Sequence, residues 1–354
     1  MVKVVYFNQW FSSIAWVIDD LKKRNKNEIK IIASSKNPDH AYKNYVDEFI
    51  VEDWEETDNH EESMNNYIKW LLDTCLKYHV DYFFVKKHME EVTKHRVEFG
   101  FNRTFLICET DEVLQHMKSK ASVYKELEGT ILRKYIPNYK CTNNIKDAYE
   151  YLEEHRDKND ICMKFDHDEG GASFRAIKDN ILTIKSLYSF RVNTVSTNEA
   201  ENIILSATDE LDKLIFMEML DSPEISVDCY NSKNGFIAIC RSKEEGRKEK
   251  IYFDEYIYNI CKDICEHFKL NFPFNVQFRY KHSENGKHSR RDLRILEINT
   301  RMSGGLYYEV AEGINIANAC LNDCMNHNER YNIEDFKNFK PKYVTHLELP
   351  LHIK

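Results

Sequence analysis

Leu293–Gly305 reads LRILEINTRMSGG, a strand-like run that closes on a carboxylate, an amide and a guanidinium and then enters two glycines. Side chains alternate faces along a strand, so Glu297, Asn299 and Arg301 project to one side while Leu296 and Ile298 point to the other. Oxygen donors of this kind suit Mg²⁺, which is held by few protein groups together with substrate phosphates. Arginine adds a planar fork for phosphoryl or carboxylate oxygens. Ser303-Gly304-Gly305 precedes a predicted helix over 307–325, where backbone N–H groups can receive an anion. Taken alone, a solvated polar strand end has the same composition.

Upstream, NVQFRY (Asn275–Tyr280) pairs with this strand across a polar loop that contains Asn285-Gly286. If those two residues formed a strict two-residue hairpin, Gln277 would face away from Glu297. A longer connection with an odd number of residues is therefore expected, which returns Gln277 to the metal side. Further upstream, Lys164 ends the apolar strand ICMKF, and Gly170-Gly171 opens the link to the next strand. A lysine beside such a loop is a plausible phosphate clamp, although a strand-end lysine is more commonly solvated. Lys120 interrupts the apolar stripe of a predicted helix over 111–127, closed by Gly129, where a snorkelling lysine is the plain alternative. Glu218 and Glu224 stand in a largely apolar run, IFMEMLDSPEISVDCY, so each needs a partner if buried. A hairpin turn is expected at Asn234-Gly235.

The first hundred residues alternate strands with helices: VKVVYF, IKIIAS, DEFIVED and VDYFFV against WVIDDLKKR and the run through Met64, Ile68, Leu71 and Cys75. That order implies a parallel sheet covered by helices. The turn after the first strand, Asn8–Ser13, lacks the GxGxxG of a dinucleotide site, so a nicotinamide or flavin oxidoreductase is not expected. A possible edge strand at 343–349 lies near the end.

Composition excludes other classes. The 354 residues carry a formal charge of −9, which does not favour a nucleic-acid groove. Ten glycines and six prolines are too few for a collagen-like or linker-rich chain. No apolar run approaches the ~20 residues of a membrane span, and Met1–Phe11 reads as a first strand, so a cytoplasmic location is expected. The ten cysteines include no CxxC, and packing accounts for them better than zinc.

The order of LQHMKSKASVYKEL, CMKFDHDEGGASFRA, FMEMLDSPEISVD, NVQF and EINTRMSGG resembles the ATP-grasp superfamily over roughly residues 1–325. EIN-x-R-x-S-G-G is the most specific part. Within the superfamily, YHVDYFFVKKHMEEV and the Phe174-Arg175 step resemble the branch known from tellurite-resistance (Ter) stress operons. The resemblance implies an α/β and α+β fold: a Rossmann-like parallel-sheet domain (1–105), a small lobe (106–215), a second lobe (216–330) and a C-terminal extension (331–354). It implies an ADP-forming ligase that activates a small-molecule or peptide carboxylate as an acyl phosphate and joins it to an amine or other nucleophile, using ATP and Mg²⁺ or Mn²⁺. Neither nucleic acid nor membrane is an expected partner, and a homodimer is an allowed assembly. Lys120, Lys164, Gly170 and Gly171 would contact ATP phosphates, Glu218, Met219 and Leu220 would read adenine, and Glu224 would hold the ribose. Gln277, Glu297 and Asn299 would face the metal, and Arg301, with Lys164, would stabilise the phosphoryl group in transfer. The sequence departs from the family pattern at Thr300, where proline is usual, and in a loop with two glycines among Asp166, His167, Asp168 and Glu169. These departures give a second reading: a weak or inactive nucleotide-binding sensor or scaffold of a stress operon.

Overall fold

The computed structural model describes residues 2–167, 171–179, 193–207, 213–244, 248–327, 333–346 and 352. The chain divides into two compact units, one of 1–115, 225–277 and 298–354, the other of 116–224 and 278–297.

The first unit opens with β1 (Lys3–Asn8), α1 (Ile14–Arg24), β2 (Ile29–Ser35), β3 (Glu48–Val51), α2 (His60–Tyr78), β4 (Tyr82–Phe84), α3 (Met89–Lys94), α4 (Arg96–Phe101) and β5 (Phe105–Ile107). The strands form a five-stranded sheet in the order β3-β2-β1-β4-β5, with every pairing parallel. This is the sheet that the alternation of strands and helices predicts. Apolar residues on both faces explain the near-continuous hydrophobic strands. Val5, Phe7, Ile31 and Ala33 pack with α1, while Tyr6, Ile32 and Phe83 pack with Tyr67, Ile68 and Leu71 of α2.

The second unit contains α6 (Lys120–Leu127), β6 (Tyr139–Thr142), α7 (Ile145–Glu154), β7 (Ile161–Phe165), β8 (Arg175–Ile177), β9 (Thr194–Val195), α8 (Thr197–Leu205) and β10 (Leu214–Glu218), after α5 (Asp111–His116) at the end of the first unit's opening segment. Its sheet runs β6-β10-β7-β8-β9. Ile161, Met163, Leu214 and Phe216 lie in one core with Ala148, Leu152, Ala200 and Ile204 of α7 and α8. Alternation therefore turns Cys162 and Lys164 to the opposite face.

A six-stranded sheet follows the order β15-β14-β11-β12-β13-β16, from β11 (Leu220–Ser232), β12 (Gly235–Glu244), β13 (Lys248–Tyr252), β14 (Phe274–Lys281), β15 (Leu293–Asn299) and β16 (Lys342–Thr345). Helix α9 (Glu255–Phe268) precedes β14, and α10 (Leu306–Val310), α11 (Ile316–Cys324) and α12 (Ile333–Lys337) follow β15. Met302, Leu306, Ile316, Ala317 and Leu321 join the core under α1. All ten cysteines are free, eight of them buried, in keeping with a packing role. Among the described residues, no helix is long and apolar enough to cross a membrane.

Four local expectations are corrected. The helix expected over 111–127 is two helices, α5 and α6, because Ser119 turns its hydroxyl to the Ser122 N–H and caps a new start. Glu128, in right-handed conformation, closes α6, so Gly129 is not its left-handed cap. The helix expected over 307–325 is likewise divided into α10 and α11: Gly313 turns at φ +83°, and the Asn315 side chain caps the second segment by accepting from the Asn318 N–H. In the β11–β12 hairpin Ser232 already pairs with Gly235, so the turn residues are Lys233 and Asn234. The edge strand near the C-terminus is present as β16, antiparallel to β13.

Candidate active site

In the second unit, the break before α6 makes Lys120 its first residue. Lys120 therefore interrupts no apolar stripe; its Nζ lies 3.6 Å from Glu297 Oε2 of β15, and both side chains are largely buried. Two contacts hold this arrangement. Tyr124, fully buried on α6, donates from its hydroxyl to the carbonyls of Leu296 (2.6 Å) and Ile295 (3.1 Å). Asp166 accepts the Ala121 N–H at 2.9 Å. Asp166, read from sequence as part of an acidic loop, is thus a buried anchor for the start of α6. Lys164 is only 6% exposed and sits opposite Ile215 of β10, on the face turned away from α7 and α8. It is not the solvated strand-end lysine of the plain reading. Gly171 has φ +69° in open space, a conformation suited to glycine; Gly170 lies outside the described residues.

The expected partners of the acidic pair are also present in this unit. Glu218 Oε1 accepts the Asn138 N–H at 2.9 Å, and Arg279 Nη2 donates to Glu224 Oε2 at 3.2 Å. Glu218 and Met219 spend their own N–H groups on the carbonyls of Asn138 and Asp160. A cavity of about 380 Å³ opens beside them, lined also by Tyr151, His155, Lys178 and His282. Leu220, buried at the start of β11, does not line it.

In the first unit, Arg301 lies with its guanidinium carbon 5.0 Å from the centre of the Phe11 ring, and its Nη1 donates to the Met302 carbonyl. The following loop is tied to a buried charge cluster that sequence reading missed. Asp228 on β11 accepts the Ser303 N–H at 3.1 Å and the Ser303 hydroxyl at 2.7 Å. Arg241 on β12 donates to Ser303 Oγ (3.0 Å), Ser226 Oγ (3.0 Å) and Glu249 Oε2 (2.9 Å), and lies 3.5 Å from Asp228 and 3.8 Å from Glu309. Asn275 completes the group through Ser226 and Asp228. Burial opposes the Arg241 charge, but Asp228, Glu309 and Glu249 together hold its pKa above the usual arginine range. Burial, then the Asp228 charge, pushes the Glu309 carboxyl well above the usual range, which favours its neutral form.

This cluster corrects the reading of Ser303-Gly304-Gly305. The Ser303 N–H is not available to an anion, because Asp228 takes it. A Cβ on Gly305 would stand 2.3 Å from the Arg241 guanidinium, so this glycine is required by close approach to arginine. The only sequence signal was alternation within EISVDCY, where Ser226 and Asp228 share a face inside an otherwise apolar strand.

Gln277 and Asn299 are half-buried on β14 and β15. Eleven residues, His282–Asp292, connect these strands, and Gly286 at φ +64° turns within them. The two-residue hairpin that would have removed Gln277 from consideration does not occur. Among the described residues no group of three or more His, Cys, Asp and Glu side chains gathers for a metal. The donor set named from the sequence holds one carboxylate and two amides. Such a set fits a hard cation whose remaining ligands are phosphate oxygens and water.

The comparisons agree with this architecture. Residues 210–347 match the family described as "ATP-grasp in the biosynthetic pathway with Ter operon". The biotin carboxylase domain of the Hydrogenobacter thermophilus 2-oxoglutarate carboxylase, solved with MgADP and bicarbonate, is similar in fold (TM-score 0.62, 16% identity, 95% of this chain and 72% of that chain). So are the N5-carboxyaminoimidazole synthetase of Staphylococcus aureus (0.58, 11%, 91% and 77%) and the L-amino acid ligase of Bacillus licheniformis (0.58, 11%, 95% and 76%). No curated protein matches the chain by sequence. The chain is thus similar in fold to these solved structures, and its residues 210–347 match the Ter-operon ATP-grasp family.

Proposed function

We propose that the protein is an ATP-dependent ligase: a carboxylate takes the γ-phosphoryl group of ATP, giving ADP and an acyl phosphate, and an amine then displaces phosphate. The observation that carries this reading is the second unit's Lys164, buried on the sheet face opposite its helices, together with the Lys120–Glu297 pair. Ammonium groups placed this way suit phosphate oxygens, which lysine meets as a point charge. Lys120, Lys164, Gly170 and Gly171 would face the phosphates, Glu218, Met219 and Leu220 the adenine, and Glu224, already oriented by Arg279, the ribose.

Gln277, Glu297 and Asn299 would hold Mg²⁺ or Mn²⁺, which supplies charge neutralisation across the phosphates. Arg301, steadied against Phe11, would offer its fork to the transferring group. No side chain need act as nucleophile in this scheme. The lobes at about 106–215 and 216–330, the small-molecule or peptide substrates, the cytoplasmic setting and a homodimer remain parts of the same proposal.

The test is ADP release from Mg·ATP by the whole protein against pooled carboxylates and amines. Release that requires both pools supports the ligase. Thermal stabilisation by Mg·ATP with no release from any pool would replace it by a nucleotide sensor or scaffold.

A further inference from the structure

The first unit contains a second cavity, of about 350 Å³, lined by Gln9, Lys36, Trp54, Asp58, Lys87 and His88 among others. It lies at the carboxyl ends of β1, β2, β3 and β4. In the order β3-β2-β1-β4-β5 the chain winds outward from β1 through β2 to β3 and then returns to the other side of β1. The β1/β4 boundary is therefore the point where the winding reverses, and crevices at such points are where open parallel sheets take small ligands. Gln9 and His88, which follow β1 and β4, both have left-handed backbone (φ +42° and +53°) although neither is glycine. Strain of that kind persists where the surroundings over-determine it.

Here the surroundings do so. Glu52, 6% exposed, accepts from Gln9 Nε2 (2.5 Å), Ser34 Oγ (2.7 Å) and Trp54 Nε1 (3.1 Å), which fixes both the amide and the indole at the cavity wall. Asn8, fully buried, accepts the Lys86 N–H (2.8 Å) and donates to the Lys87 carbonyl (3.0 Å) and to Tyr67 (2.8 Å), which fixes the turn bearing Lys87 and His88. The Lys36 ammonium stands 3.8 Å from the centre of the Trp54 ring and pairs with Glu56. Burial first, then the Lys87 charge, lowers the His88 pKa to about 4, so its imidazole is neutral at pH 7.

The wall thus presents two ammonium groups, two carboxylates, an amide, the imidazoles of His60 and His88, of which His88 is neutral, and one flat indole face. Equal numbers of opposite full charges around an aromatic wall suit a molecule that carries both charges itself. We propose that this cavity binds a free amino acid, its carboxylate toward Lys87, its ammonium toward Asp58 and its side chain against Trp54. The proposal rests on the first unit alone and needs no nucleotide, so it stands or falls separately from the ligase reading.

The test is titration calorimetry and ligand-observed NMR on the full chain without ATP, using the twenty L-amino acids in pools, then singly. Each amino acid that binds is compared with its amide and with inorganic phosphate. At least one amino acid is expected to bind, its amide at least tenfold more weakly. Lys87→Ala and Asp58→Asn should each weaken binding tenfold or more, with circular dichroism and melting temperature unchanged. No binding from any pool, equal binding of amide and acid, binding of phosphate alone, or binding unaltered in both variants would overturn the proposal. If either variant melts early, Trp54→Phe gives the independent check, since loss of the indole should change which amino acids are preferred.

Discussion

Two groupings of charge in this protein are built in opposite ways. In the first unit, Arg241 meets Asp228, Glu249 and Glu309 on strands and a helix that pack tightly around it, and Arg241 itself is 4% exposed. In the second unit, Lys120 and Glu297 meet at 3.6 Å with side chains 12% and 17% exposed. The first spends its hydrogen bonds on protein partners, among them the Ser303 side chain of the Ser303–Gly305 loop. The second is less deeply buried. Complete burial makes a charge structural, whereas partial burial leaves it free to exchange partners, because the cost of breaking a pair rises as water is excluded.

The sharpest way to break the comparison is to remove one cation from each. Arg241→Met should cost about 3–5 kcal/mol, as expected when buried carboxylates lose their partner, whereas Lys120→Met, from a less deeply buried pair, should cost about 1–2 kcal/mol. Urea unfolding of the two variants checks both; similar losses would erase the distinction. Next in size, Glu297→Ala should lower Mg·ATP turnover by about 10²–10³-fold, the scale of a lost electrostatic contact to a reacting group, while the urea midpoint stays in place. Turnover unchanged in that variant would remove Glu297 from the metal set.

Glu109 extends the comparison to pH. It is fully buried in the first unit, with Oε1 accepting the Asn271 and Phe272 N–H groups and Oε2 lacking any hydrogen-bond partner. Burial raises its pKa to about 7 against these two bonds. A carboxyl raised on folding gives its stability below its unfolded pKa of about 4.3, and loses it as pH climbs through its folded value. Stability should therefore fall between about pH 4.5 and 7 by on the order of 2–3 kcal/mol from this group. Glu109→Gln should flatten that slope and raise the melting temperature above pH 7.

The smallest effect separates two adjacent glycines. A Cβ at Gly305 meets the Arg241 guanidinium, whereas one at Gly304 meets Phe11 at an ordinary 3.7 Å. Gly305→Ala should cost about 1–3 kcal/mol and Gly304→Ala almost nothing, as read by thermal melting. Equal costs would mean that the sealed cluster yields more readily than its packing implies.

Much of the architecture was legible because it rests on short-range patterns. Apolar runs such as VKVVYF and IKIIAS can be satisfied only between two helical layers, and they became β1 and β2 of a parallel sheet. Lys164 was singled out by being the one charge in ICMKF, and it lies where alternation puts it. Where competing local interactions decided the outcome, pattern reading failed. Ser119 and Asn315 turn their side chains to backbone N–H groups and start new helices inside stretches whose apolar spacing favours one continuous helix. The Arg241 cluster stayed hidden for a different reason: Asp228, Arg241, Glu249, Ser303 and Glu309 come from separate elements, and the alternation that puts Ser226 and Asp228 on one face names none of their partners.

By itself, then, the sequence determined the fold class, the order of its elements and the identity of the side chains that end β7 and β15, because hydrophobic periodicity and strand alternation act over a few residues. Only the tertiary structure decided how deeply each of those charges is buried. That choice depends on burial and on partners far apart in the chain, as when Asp228 meets Glu309 or Lys120 meets Glu297, and no local spacing records it.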